Sequence, residues 1–158
     1  MIEVRPLGET DRAWAADVER EAWGEPVAAR LDELVALDPL PGRVAWRDRR
    51  RAGVARYAVR EDGCELVSIV ALEQGVGVGR ALLDAVREAA VAAGCRRLWL
   101  ITTNDNMRAL RFYQRAGFDL AVLHHGAVAR ARRLKPGIAK VGDDGIPIDH
   151  ELELRIEL

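Results

Sequence analysis

Residues Gln74, Gly75, Val76, Gly77, Val78, Gly79 and Arg80 set three glycines between an apolar run and an amphipathic one. That spacing suits the binding of an anion. Backbone N–H groups turned inward at a strand-to-helix junction, together with a helix N-terminus, can cradle phosphate. Glycine lets the chain approach without a side chain in the way, and Arg80 adds positive charge at the same place. The alternative is a merely structural turn. A nucleoside-triphosphate loop would end in Gly-Lys-Ser/Thr, but Gly79 is followed by Arg80 and Ala81. A dinucleotide fingerprint needs a third glycine where Arg80 or Leu82 stands. Both are excluded.

Other reactive side chains point less clearly. Cys64 has no evident paired base for a nucleophilic role, and a buried structural thiol is the plainer account. Adjacent histidines in a strand, such as His124 and His125, face opposite ways and chelate poorly, so no metal site is expected. Arg130, Arg132, Arg133 and Lys135 make a basic cluster: either a solvated helix face or a contact for phosphate or an acidic substrate. Asp143, Asp144, Asp149 and Glu151 form an acidic stretch that either attracts a cationic amine or solvates a loop.

The elements that must hold these residues follow from the pattern. Ile2–Leu7 is expected as a strand, and Thr10 as the cap of a helix from Asp11 to Trp23 that Gly24 stops. Trp14, Val18 and Ala22 share one face of it. Pro26 suits the first turn of a second helix reaching about Leu37. Strands are expected at 44–49, 53–60 and 64–72 in a meander, with a hairpin turn at Asp62-Gly63. Leu82, Leu83, Val86, Ala89, Ala90 and Ala93 stripe a long helix ended by Gly94. Then come a strand at 98–102, a helix from Asn106 to Ala116 and a strand at 118–124. A short basic helix at 127–134, a Gly/Pro-rich loop at 135–147 and a last strand at 148–158 close the chain. The fold class is α/β: one domain over 1–158, with a mixed sheet of about seven strands.

Bulk composition sets the limits. A chain of 158 residues with 49% apolar and 31% charged residues can bury a real core. Its net charge of −1 predicts no general attraction to nucleic acid or acidic membranes. No apolar run approaches the roughly 20 residues that cross a bilayer, and no leader peptide is evident at the start. Two cysteines make no disulfide framework, which predicts reduced thiols and a cytoplasmic protein.

Gln74-x-x-Gly77-x-Gly79 matches the pattern Gln/Arg-x-x-Gly-x-Gly/Ala. Downstream, Asn106-Met-Arg-Ala109-Leu-Arg-Phe112-Tyr113-Gln-Arg-Ala-Gly117-Phe118 matches Asn-x-x-Ala-x-x-x-Tyr-x-x-x-Gly-Phe. In these two motifs, in this order, the chain resembles the GNAT N-acetyltransferases, and the resemblance covers nearly all of it. It implies the acyl-CoA N-acyltransferase fold, with acetyl-CoA as co-substrate and no metal. It also implies acetyl transfer to a primary amine of a small molecule or peptide, by direct attack in a ternary complex. The glycine loop then holds the pyrophosphate of coenzyme A. The pantetheine arm lies strand-like against the backbone near Ile69 and Val70, in an opening between strands 64–72 and 97–103. Asn106 contacts that arm or caps its helix, and Asn104 can do either. Tyr113 protonates the departing thiolate, a role open to a phenol that keeps its proton at neutral pH. Cys64-Glu65-Leu66-Val67 resembles the stretch carrying the base in the histone-modifying branch, so Glu65 is either the base or a strand-start residue in solvent. Glu73 is a weaker candidate for the base. A non-catalytic acyl-CoA sensor and a transferase for longer acyl groups are the rival functions. A homodimer through the C-terminal strands is a family-level expectation.

Overall fold

The computed structural model describes all residues, 1–158. Seven strands make a mixed sheet with flanking helices, and a separate two-stranded hairpin completes the architecture. The chain divides into two compact units. One holds residues 1–28, 36–98 and 158; the other holds 29–35 and 99–157.

In the first unit, β1 (Ile2–Pro6), β4 (Gly42–Arg47), β5 (Arg50–Arg60) and β6 (Gly63–Ala71) pair antiparallel in the order β1-β4-β5-β6. Helix α1 (Arg12–Trp23) ends on Gly24, whose φ of 82° is the left-handed stop expected of that glycine. Its start departs from expectation. A 3-10 turn occupies Glu9–Asp11, and Asp11 accepts the Gly8 N–H at 2.9 Å, so Asp11 rather than Thr10 organises the N-terminus. Trp14 and Val18 of α1 pack with Leu7, Trp46 and Val70 around buried Ala15, Val44 and Val54.

Helix α2 (Val78–Ala92) buries Leu82, Leu83, Val86 and Ala90, the stripe read from the sequence. Each leucine buried this way is worth about 1.5–3 kcal/mol. The helix lies on β4, β5 and β6. The β5–β6 turn falls at Glu61-Asp62, one position before the expected Asp62-Gly63. Gly63 instead opens β6, because a Cβ there would sit 2.6 Å from the Arg97 carbonyl oxygen. Arg56 faces Ser68 while Tyr57 faces Leu66, which leaves Val67 as an extra residue in a β-bulge on β6.

The helix expected from Pro26 to Leu37 is instead a hairpin of β2 (Val27–Arg30) and β3 (Glu33–Ala36). Leu31 and Asp32 take φ of 49° and 62°, the two positive values of a type I′ turn. For a leucine that conformation costs about 1–2 kcal/mol. Contacts within the second unit hold it. The Leu31 N–H donates to Glu151 Oε1 at 3.0 Å, and Asp32 Oδ1 accepts the Arg130 Nε–H at 2.7 Å. Neither partner is local, so no periodicity in 26–37 announces them.

The second unit carries β7 (Arg97–Thr103) from Trp99 onward, α3 (Met107–Arg115), β8 (Asp119–His124), α4 (Ala127–Leu134) and β9 (Glu151–Glu157). Its strand order is β7-β9-β8, with β8 and β9 antiparallel and His124 directly opposite Glu151. Strand β9 begins at Glu151 rather than Ile148, because residues 147–150 serve another purpose described below. Among the helices, none is long and apolar enough to cross a membrane.

Candidate active site

The glycine turn is built by backbone alone. Gly75 and Gly77 take φ of 78° and 92°, and Gly77 is the N-cap of α2. The first α-helical bond runs from the Ala81 N–H to the Gly77 carbonyl. The N–H groups of Val78, Gly79 and Arg80 therefore come before the intrahelical ladder and carry the positive end of the helix dipole. A Cβ on Gly75 would meet nothing within 4 Å, so the turn is open on that side. This arrangement fits a diphosphate. Arg80 is half exposed and pairs with Asp84 at 3.1 Å, and Gln74 reaches the Ala71 carbonyl at 3.4 Å. Glu73 is held by Arg47 at 2.7 Å. Ile69 and Val70 lie at the half-buried end of β6, two and three residues past the bulge.

Glu65 sits near the other end of the same strand. It is 1% exposed, which removes the solvated strand-start alternative, and its Oε1 accepts the Arg60 Nε–H at 3.1 Å. An incoming ammonium would have to share that carboxylate with a guanidinium. Next to it, Cys64 is fully buried. Burial, with the neighbouring Cys95 and Glu65 adding to it, pushes its thiol up to about 12, so it is a poor nucleophile.

In the second unit, Asn106 caps α3 by accepting the Ala109 N–H at 3.2 Å. Asn104 is fully engaged by residues 147–150. Its amide donates to the Pro147 carbonyl at 2.9 Å, and its Oδ1 accepts the N–H groups of Asp149 and His150, both at 3.0 Å. That clamp, with the Asn104 N–H on the His150 carbonyl at 3.1 Å, fixes the start of β9 against the end of β7. Tyr113 is buried on α3, edge-on to Phe112 and Phe118. Burial raises its hydroxyl well above the ordinary phenol range, so it keeps its proton at any physiological pH.

The basic cluster on α4 is largely a structural clamp. Arg130 holds Asp32, and Arg132 donates to the carbonyls of Ala139 and Ile148 at 2.8 and 2.7 Å. The loop at 135–147 is thereby tied to its helix. His125 stacks on His150 at 4.4 Å, and His150 Nδ1 accepts the Gly126 N–H. Two features escaped the sequence: the Val67 bulge, which leaves no local mark, and the burial of Glu151 at 2% exposure. Glu151 was visible only as one member of an acidic run.

Comparison with known proteins bears on the family and the fold. The model of the acetyltransferase (GNAT) family matches residues 11–118. An uncharacterized Bacillus subtilis protein, YdhI, is 36% identical over 153 residues, covering 96% of each chain. A second one, YxbD, is 38% identical over 137 residues, covering 86% of each. Among solved structures, a GNAT family acetyltransferase from Elizabethkingia anophelis with acetyl-CoA bound has the same fold. Its TM-score is 0.72 at 19% identity, covering 99% of this chain and 98% of that one.

Proposed function

Because this chain belongs to the GNAT acetyltransferase family, we propose that it transfers acetyl from acetyl-CoA to a primary amine by direct attack in a ternary complex. The observation that carries this is the Gly75–Gly79 turn, whose unpaired N–H groups at the start of α2 suit the diphosphate of the thioester carrier. Acetyl-CoA is a co-substrate here. Its pantetheine arm is proposed to pair with backbone near Ile69 and Val70, where one N–H donates to the thioester carbonyl as charge builds on oxygen.

The chemistry balances as follows. The acceptor ammonium gives one proton to a carboxylate, and its lone pair attacks the thioester carbon. The tetrahedral adduct collapses, the C–S bond breaks, and Tyr113 gives its proton to the thiolate. The second proton on nitrogen then restores the tyrosine. Burial keeps this phenol protonated, so the proton is present to be given. Glu65 is the base suggested by resemblance; its pairing with Arg60 means that it would act only by opening or sharing that pair.

Tyr113→Phe should lower kcat about a hundredfold and leave acetyl-CoA affinity nearly unchanged, measured by thiol release and calorimetry. Equal turnover would remove Tyr113 from the mechanism. Tight coenzyme A binding by the wild type without thiol release, over a broad amine panel, would favour the sensor function instead.

A further inference from the structure

The first unit leaves one large aromatic side chain open that the mechanism above does not use. Trp23 ends α1 at 44% exposure. An indole half in water is ordinary when it is loose, but this one is fixed. Its Nε1–H donates to Ser68 Oγ at 3.0 Å, and Ser68 is buried on β6. Ser68 directly follows the extra Val67 of the bulge and directly precedes Ile69, where the thioester is proposed to lie. The ring is thus anchored by its polar edge at the part of β6 that would receive the acyl group. Trp23, Ser68, Ile69 and Val70 all belong to the first unit.

The charges around the ring say what it suits. Arginine guanidinium groups lie over Trp14, Trp46 and Tyr57, between 4.9 and 5.7 Å from the ring centres. No cation of the chain lies over Trp23. Arg20, one turn earlier on α1, is paired with Asp17 at 3.2 Å. Glu21 and Glu25, two residues to either side of Trp23, are exposed and held in no ion pair. An aromatic face attracts a cation. The two carboxylates add a negative potential, which draws an ammonium and repels an anion.

We propose that Trp23 selects the acceptor: its ring receives a second, non-reacting ammonium group, so the acceptor is an alkane diamine or longer polyamine that carries no carboxylate. This rests on the N-acetyl transfer reading above. The reacting nitrogen loses its protons and gains the acetyl group as already described. The second nitrogen keeps all its protons and forms no covalent bond. Ser68 is a positioning residue that acts through the indole. By holding Nε1–H it keeps the ring in one orientation before the acceptor arrives, so less side-chain freedom is lost on binding. Monoamines lack the second charge, and amino acids bring a carboxylate that Glu21 and Glu25 repel.

The test uses the full chain, acetyl-CoA and matched pairs of acceptors. Propane-1,3-diamine, butane-1,4-diamine and pentane-1,5-diamine are each set against the monoamine in which a methyl group replaces the second ammonium. Trp23→Leu changes a half-exposed residue at a helix end, so the fold should survive. We expect it to raise KM for the best diamine about fivefold, with kcat, the matched monoamine and coenzyme A affinity nearly unchanged. Ser68→Ala, which frees the ring without removing it, should raise the same KM about threefold. Equal changes for diamine and monoamine, or none, would overturn the proposal and leave acetyl transfer standing. In parallel, the indole N–H resonance that is lost in Trp23→Leu should move on titration with the diamine and stay with the monoamine. A resonance that ignores the diamine overturns the proposal. A resonance that moves in a wild-type protein releasing no thiol with any amine keeps the ammonium site and removes the transferase reading.

Discussion

Glu19 on α1 and Glu151 at the start of β9 are buried to nearly the same extent, at 0% and 2% exposure, but under opposite arrangements. Glu19 meets the fully buried Arg56 in a two-pronged pair, at 2.9 and 3.0 Å, and Arg56 also donates to the carbonyls of Asp38 and Leu40. That network joins α1, β5 and the segment before β4, and it leaves the guanidinium well satisfied. Glu151 has one backbone donor, the Leu31 N–H, and the His124 opposite it on β8 turns its Nε2 toward Glu153, 4.0 Å away. Burial alone therefore does not say how a carboxylate is held. The distinction lies in whether the fold has already supplied its partner.

Breaking the satisfied pair should have the larger effect. Arg56→Met leaves Glu19 buried without its cation, which should cost about 3–5 kcal/mol and lower Tm by roughly 6–20 °C. Chemical denaturation and calorimetry would check it; a cost under about 1 kcal/mol would mean that the pair behaves as a surface one. Glu151→Gln should act in the other direction, and its size depends on pH. The folded carboxyl titrates above its ordinary 4.5. Its contribution to stability is complete below the unfolded value and is lost as pH rises through the folded one. The variant should therefore gain in Tm relative to wild type between pH 4.5 and pH 8. A gain that shrinks over that range would contradict the burial of the charge. The smallest effect is kinetic and concerns the closed start of β6. With its thiol pushed up to about 12, Cys64 should react with a maleimide at pH 8 at least tenfold more slowly than the half-buried Cys95. Comparable labelling of the two by peptide mapping would show that this end of β6 opens.

The same contrast explains what the sequence disclosed. The glycine turn was legible because it is backbone geometry written in consecutive residues, α2 because its apolar face recurs at helical spacing, and α3 because an asparagine start and the Gly117 stop bound it. The meander was legible from alternation. Residues 26–37 misled because a proline and several helix formers outweighed a turn with no glycine, one that is held by Glu151 and Arg130 from about a hundred residues away. The pairing of Glu19 with Arg56, and the seat of Glu151, are likewise written in no local pattern. A glutamate among Glu, Arg and Asp reads as solvated until the fold brings its partner. Asn104 shows the same limit in smaller form: a strand-end asparagine gives no sign that it will hold three residues of a later segment, Pro147, Asp149 and His150.

The unpaired Val67 on β6 has a consequence for anyone who edits this strand. It resets the alternation of sides, so the stretch containing Cys64 and Glu65 keeps step with β5 only while that surplus residue is present. Deleting it would turn the preceding side chains over, sending inward ones outward along the whole beginning of the strand. Chimeras that swap this segment with a relative's must therefore preserve parity as well as length.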